Sequence, residues 1–151
     1  MTAHACVTVP DVERPTASGR HEFWYEGELF GVRFRGSITR RDVEVLRQAV
    51  EAVAEEHPRS YLLIDLHGST GIDPEARKYL VEWSKVPEQG LVGTVVYGTG
   101  FVMRSLVTLS INAIRLLGHL KGEFHFFKDE AEARRWADGH RARTGGAQRD
   151  A

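Results

Sequence analysis

The chain contains a single cysteine, Cys6, and no long apolar run, and each shortage excludes a class of protein. One cysteine cannot form a disulfide within the chain or supply a cysteine-based zinc site. The 20 basic and 21 acidic residues nearly cancel, which argues against a nucleic-acid partner and against attraction to an anionic membrane. No apolar run reaches the roughly 20 residues that a bilayer core requires, so no transmembrane segment is predicted.

The two ends of the chain differ from its middle. The start, MTAHACVTVPDVERP, lacks the basic leader and apolar core of a secretion signal, so we expect a cytoplasmic protein. A length of 151 residues with 42% hydrophobic content suits one domain with a real core. Because both ends lack apolar periodicity, we predict a flexible arm over 1–19, one domain over 20–142 and a flexible tail over 143–151.

The middle of the chain alternates between the periodicities of strands and helices. Two predicted strands joined by a tight connection at Glu26-Gly27 precede a helix, which Thr39 and Asp42 begin in a capping-box-like relation. Further strands are predicted over 61–66, 91–97 and 123–127, and further helices over 73–85, over 101–117 and after 129. This order predicts an α/β fold, with a mixed, mostly parallel β-sheet and about four α-helices packed on it.

The most informative stretch covers residues 61–83, YLLIDLHGSTGIDPEARKYLVEW. It begins with the near-continuous apolar run of an interior parallel strand and passes through a polar loop, 67–72, into a helix. Asp73 can cap that helix and Pro74 can be its first residue. One buried helical face is then expected at Ala76, Tyr79, Leu80 and Trp83. Partners and ligands usually bind at the carboxyl ends of such strands.

These patterns resemble a known family. The element order, with IDLHGSTGIDPEA at the third strand, is similar to the STAS domains of anti-sigma-factor antagonists. The ending FHFFKDEAEARRWA is similar to the SpoIIAA-like branch of that fold. The resemblance implies a non-enzymatic regulatory domain that acts by protein-protein interaction. Members of this branch are also related in shape to lipid-carrying CRAL-TRIO domains, which implies an alternative: carriage or sensing of a small apolar or lipid ligand.

The family's switch is a serine or threonine at the start of this helix, which a partner kinase phosphorylates in a pattern like Asp-Ser-Ser-Gly. Carried over residue by residue, Asp73 matches the aspartate, Pro74 the first serine, Glu75 the phosphorylated serine and Ala76 the glycine. The acceptor hydroxyl is therefore missing. Glu75 instead places a permanent negative charge where the helix dipole favours one.

The residues expected to contact a regulatory partner lie in the polar loop and the first helical turn: His67, Ser69, Thr70, Asp73 and Glu75. Two readings stay open for Ser69 and Thr70, which are either shifted phosphoacceptors or loop hydroxyls bonded to nearby backbone. Glu75 is either a functional substitute for a phosphate or an ordinary first-turn acid.

The segment 101–117, FVMRSLVTLSINAIRLL, predicts a helix that is apolar on nearly three sides. Its polar residues are confined to one narrow stripe, Arg104, Thr108, Asn112 and Arg115. Such a helix is a core element, a homodimer surface or the wall of an apolar or lipid ligand site. The residues of a ligand or dimer surface would be Phe101, Met103, Leu106, Leu109, Ala113 and Leu116.

Catalytic, metal and cofactor sites are not predicted. His67, Ser69 and Asp73 are close in sequence, but nothing indicates a base for the serine or an oxyanion hole. The seven histidines include no pair at helical ligand spacing. Gly98-Thr99-Gly100 predicts a tight turn and not a phosphate-binding loop, because no Gly-Lys-Ser/Thr follows it.

Overall fold

The computed structural model describes residues 17–18, 20–86, 91–117 and 122–149. In chain order the elements are β1 (Ala17–Ser18), β2 (His21–Glu26), β3 (Leu29–Ile38), α1 (Arg40–Glu56), β4 (Ser60–Ile72), α2 (Pro74–Ser84), β5 (Leu91–Tyr97), α3 (Phe101–Leu117), β6 (Glu123–Phe127) and α4 (Glu130–Arg149). Apart from Ala17 and Ser18, the predicted N-terminal arm lies outside the described residues.

The six strands form one sheet in which their spatial order follows their order in the sequence. β1, β2 and β3 are antiparallel neighbours, whereas β3, β4, β5 and β6 run parallel to one another. Each parallel connection contains one helix, because parallel neighbours need a crossover. The predicted α/β fold with a mixed, mostly parallel sheet and four helices is confirmed.

Two apolar cores cover the two faces of the sheet, as buried parallel strands require. The larger core joins strand residues such as Phe30, Val32 and Leu62 to α1, α2 and α3. From α1 it receives the stripe Val43, Leu46, Val50 and Val53, which repeats every three or four residues. Full burial of one such side chain stabilises the fold by about 1.5–3 kcal/mol.

The smaller core lies on the opposite face, under α4. Tyr61 and Leu63 of β4 pack there against Ala133 and Ala137, and Trp136 lies beside them. The buried hydroxyl of Tyr61 makes a 2.7 Å hydrogen bond with Nδ1 of His140, and Nε2 of His140 contacts the carboxylate of Glu123 on β6. These polar contacts join α4 to two strands of the sheet.

Helix α1 begins in a capping box. The Thr39 hydroxyl accepts a hydrogen bond from the Asp42 backbone N–H, and the Asp42 carboxylate accepts one from the Thr39 backbone N–H at 2.8 Å. The same carboxylate lies 2.9 Å from Nε2 of buried His21. Burial alone would raise the pKa of Asp42, but its hydrogen bonds from Thr39 and His21 outweigh burial and lower it.

The strand β4 is longer than the sequence predicted. The predicted loop over 67–72 is wrong, because β4 continues to Ile72. Gly68, Ser69 and Gly71 have low strand propensity, but they pair in parallel with Arg35, Gly36 and Ser37 of β3. The pairing with β3 gives these residues a strand partner, which local propensity does not reveal.

Helix α4 also exceeds its prediction, since it continues to Arg149 through residues that we assigned to a flexible tail. Gly145 and Gly146 each disfavour a helix by about 1 kcal/mol, but the alanine, glutamine and arginines around them favour one.

Replacing the capping threonine tests the start of α1. We expect Thr39→Ala to lower the free energy of unfolding by about 1 kcal/mol, because the backbone N–H of Asp42 loses its partner. Chemical denaturation measures this change. The control is Thr108→Ala at an exposed position of α3, where alanine should not destabilise. Equal stability of Thr39→Ala and the unmodified protein would contradict the assigned cap.

Candidate functional site

The candidate site is the edge of the sheet where β3 and β4 end together. Ile38 is paired with Ile72, so α1 and α2 start side by side at this edge. The backbone N–H of Asp73 donates to the carbonyl oxygen of Ile38 at 2.9 Å. The starts of both helices are therefore fixed to each other by the ladder between their strands.

Asp73 is the N-cap residue of α2, as predicted, but its side chain makes no capping bond to the helix. Its carboxylate instead accepts a 2.6 Å hydrogen bond from the hydroxyl of Ser37 on β3. Pro74 occupies the first helical turn, where its missing N–H costs nothing. Glu75 follows in that turn with an exposed side chain, so its charge lies in solvent beside the helix N-terminus.

The two candidate hydroxyls have different surroundings. The hydroxyl of Ser69 donates to the carbonyl oxygen of Gly36 at 3.2 Å and lies 3.9 Å from the sulfur of Met103. Ser69 therefore bonds to nearby backbone, although through β3 and not within a loop. Thr70 is exposed beside it. Of the two, Thr70 is the more accessible hydroxyl.

His67 points to a different set of residues, which includes the buried carboxylate of Asp65. Asp65 accepts hydrogen bonds from Nε of Arg33 at 3.0 Å and from the backbone N–H of His67 at 2.9 Å. Nδ1 of the His67 ring also lies 2.9 Å from this carboxylate. Burial alone would raise the pKa of Asp65, but the bonds from His67 and Arg33 outweigh burial and lower it.

The His67 side chain is largely exposed, but its ring contacts two further residues. It meets the ring of Tyr97 edge to face at a centroid distance of 6.2 Å. Burial and the neighbouring carboxylate of Glu130 raise the pKa of Tyr97, whose hydroxyl donates to that carboxylate at 3.2 Å. The ring also lies against Gly98, where an added Cβ would be 2.3 Å from Nδ1. Gly98 also has a φ of +77°, so both space and backbone conformation call for glycine.

The structure does not assemble His67, Ser69 and Asp73 into a triad. His67 bonds to Asp65, Ser69 bonds to Gly36 and Asp73 bonds to Ser37. Among the described residues, no group of three or more histidine, cysteine, aspartate or glutamate side chains could hold a metal ion.

Asp65 and its partner Arg33 were not among the site residues predicted from the sequence. A signal was present, because Asp65 interrupts an otherwise apolar strand, and a buried carboxylate needs hydrogen-bond partners. The identity of those partners depends on the pairing of Arg33 with Asp65 across β3 and β4.

The six α3 residues chosen from the sequence do not share one environment. Phe101, Leu109 and Leu116 are exposed by 87%, 59% and 84%, whereas Leu106 and Ala113 are partly buried. Met103 is 5% exposed and belongs to the larger core, so it does not lie on the outer surface of α3. The reason is helical periodicity, because Met103 shares its stripe with buried Val107, Ser110 and Ile114.

A cavity of about 170 Å³ lies between the sheet and helices α1, α2 and α3. Helix α3 lines it with Val107, Ser110, Ile111 and Ile114, none of which belongs to the six residues chosen from the sequence. Trp83 and Leu80 of α2 also line it, so both face the interior side of α2 as predicted. Among the described residues, no charged side chain lines the cavity, and its polar residues are Ser84, Thr94 and Ser110.

Comparisons with known proteins agree with this architecture. The SpoIIAA-like family model matches residues 29–138. The fold is similar to the anti-sigma factor antagonist SpoIIAA in its unphosphorylated form, with a TM-score of 0.51 and 12% identity over 79% of this chain and 98% of that one. It is also similar to an uncharacterised protein with a SpoIIAA-like fold from Shewanella loihica PV-4, with a TM-score of 0.52 and 19% identity over 81% of this chain and 98% of that one. A comparison with curated proteins gave no match.

The parallel sheet and the helix starting at its polar edge are those of a STAS-type domain. The chain belongs to the SpoIIAA-like family, because the family model covers most of its length. Domains of this family are generally binding or regulatory modules. No helix in the described part of the chain is long and apolar enough to cross a membrane.

The Asp65 contacts predict a dependence of stability on pH. A lowered pKa in the folded state stabilises the protein above the unfolded value of about 4, and this contribution is lost as the pH falls through the folded value. Asp65→Asn should therefore be less stable at pH 7 by about 1–3 kcal/mol. The difference should shrink below pH 4 or so. Denaturation from pH 3 to pH 7 measures it, with exposed Asp138→Asn as control. A difference that is constant with pH would contradict the prediction.

Proposed function

We propose that this chain is a regulatory protein-binding domain whose partner contacts the edge around α2. The main support for this proposal is that Glu75 lies exposed in the first turn of α2. The start of this helix is fixed by the hydrogen bonds that Asp73 makes with Ser37 and Ile38. The fixed backbone of this first turn loses little conformational entropy when a partner binds. Exposed Thr70 lies in the last part of β4, before this helix.

The phospho-switch of the family's antagonists does not carry over to Glu75, which has no hydroxyl. A carboxylate supplies one permanent charge, whereas a phosphoserine carries about −1.5 to −2 at pH 7. The proposal is therefore an interaction that does not require phosphorylation at this position. The preferred partner would present a basic side chain to Glu75. The proposed contact region also includes His67, Ser69, Thr70 and Asp73. Two of these side chains are bonded to β3, since the Ser69 hydroxyl donates to the Gly36 carbonyl and the Asp73 carboxylate accepts from Ser37.

Exchange of Glu75 for glutamine tests the proposal. A partner identified by co-purification with the unmodified protein should bind Glu75→Gln up to about fivefold more weakly, because an exposed ion pair contributes about 0.2–1 kcal/mol. Glu82→Gln is the matched control, since Glu82 is exposed two turns later on the same side of α2. Titration calorimetry with the purified partner gives both affinities. Equal affinities of Glu75→Gln and the unmodified protein would exclude the proposed contact.

A second function, binding of a small neutral apolar ligand, is supported by the cavity. Its 170 Å³ is comparable to engineered apolar cavities of about 150 Å³ that bind benzene. The hydroxyls of Ser84 and Ser110 donate to carbonyl oxygens of their own helices, at 2.6 Å and 3.0 Å, and so add little polarity to the wall. Such a wall favours hydrocarbon over any charged group.

Benzene is a direct probe of the cavity. Added benzene should raise the thermal midpoint of the unmodified protein, because a ligand that binds only the folded state stabilises it. Ile111→Trp should abolish the rise, since the larger side chain enters the cavity. Thr108→Trp, at an exposed position of the same helix, should retain it. Cooperative melting without benzene shows that each variant folds. Absence of any rise in the thermal midpoint of the unmodified protein would reject this second function. Native mass spectrometry of the purified protein is an independent check, because it detects a ligand that is retained in the cavity.

A further inference from the structure

The outer surface of α3 carries an apolar row that nothing in the described structure covers. Val102, Leu109 and Leu116 lie seven residues apart and are exposed by 66%, 59% and 84%. Leu106 and Ala113 lie between them and are partly exposed. Large contiguous exposed apolar surface generally marks an interaction site. We therefore expect this apolar row to bind a partner.

The spacing of this row identifies the kind of partner. From Val102 the intervals are four, three, four and three residues, the heptad pattern by which two helices pack side by side. We name these five residues the α3 seam: Val102, Leu106, Leu109, Ala113 and Leu116. The seam is separate from the buried stripe of Met103, Val107, Ser110 and Ile114, which binds α3 to its own domain.

The residues beside the seam carry no charge on its solvent side, where Ser105 and Asn112 lie. In paired helices, charges at such flanking positions select a particular partner. The charged residues Arg104 and Arg115 lie further round the helix, and Arg104 is held 5.1 Å over the ring of Phe126 on β6. On α3 itself, the residues that flank the seam therefore offer no charge with which to select a charged partner, and no charge that would repel a second copy of this helix.

The seam is also nearly symmetric about Leu109. If two helices run antiparallel across a two-fold axis at this residue, Leu109 meets its own copy, Val102 meets Leu116 and the larger Leu106 meets the smaller Ala113. Ser105 would then face Asn112, and these two side chains can exchange a hydrogen bond. We propose that the α3 seam binds a second copy of this chain in this antiparallel arrangement.

The expected dimer is weak. A helix of 17 residues is about 25 Å long, and one pair of such helices forms an interface at the low end of the range for specific complexes. We therefore expect a dissociation constant in the micromolar range. The inference does not depend on the proposed contact at Glu75, which lies on α2.

Sedimentation equilibrium from about 10 to several hundred micromolar tests the dimer. The unmodified protein should approach twice the monomer mass of 17.0 kDa, and Leu109→Glu should remain monomeric. Thr108→Glu, which places the same charge next to the seam residue but outside the seam, should still dimerise. Unchanged thermal midpoints show that both variants fold. A monomeric unmodified protein, or a Leu109→Glu variant that still dimerises, would overturn the proposal.

Two further measurements test the two-fold arrangement. Leu109→Lys alone should be monomeric, but an equimolar mixture with Leu109→Glu should restore the dimer, because position 109 meets its own copy. In a Cys6→Ser background, Leu109→Cys should form an intermolecular disulfide on mild oxidation, and Thr108→Cys should form it far more slowly. Failure of both would overturn the antiparallel pairing. A monomer that binds anionic phospholipid vesicles, and loses this binding in Leu109→Glu, would assign the seam to a membrane instead.

Discussion

The parallel pairing of β3 with β4 is the interaction on which the rest of the molecule depends. It runs from Leu29 opposite Tyr61 to Ile38 opposite Ile72, and its first half, up to Arg33 opposite Asp65, lies between two apolar cores. Because both strands end at the same level, two helices begin side by side and their first turns become one surface. The side chains on that surface are held by bonds between the strands, such as that from Ser37 to Asp73. A loop could not hold them so firmly.

Local signals were sufficient to predict most of the fold. The start of α1 followed from Thr39 and Asp42, and the start of α2 followed from Pro74, because caps act between residues three or four apart. The extent of β4 could not be predicted in this way. Gly68, Ser69 and Gly71 form a strand only because β3 lies beside them. The residues of a strand do not by themselves predict which strand pairs with it.

The start of α2 was predicted in its position, but the contacts of the residues around it were not. Asp73 and Glu75 were found because they open a helix, yet the partner of Asp73 is Ser37, 36 residues earlier. His67 was grouped with Ser69, whereas the structure turns it towards Asp65, Tyr97 and Gly98. On α3 the apolar residues of the core and of the seam are alike in type. Only the packing on the sheet separates Met103, which is buried, from Leu109, which is not.

The cavity under the three helices has a mechanical consequence for the whole domain. Empty space inside a folded chain disappears when the chain unfolds, so the unfolded protein and its solvent occupy less volume. Hydrostatic pressure should therefore favour the unfolded state of this domain, because the space between the sheet and α1, α2 and α3 is lost on unfolding.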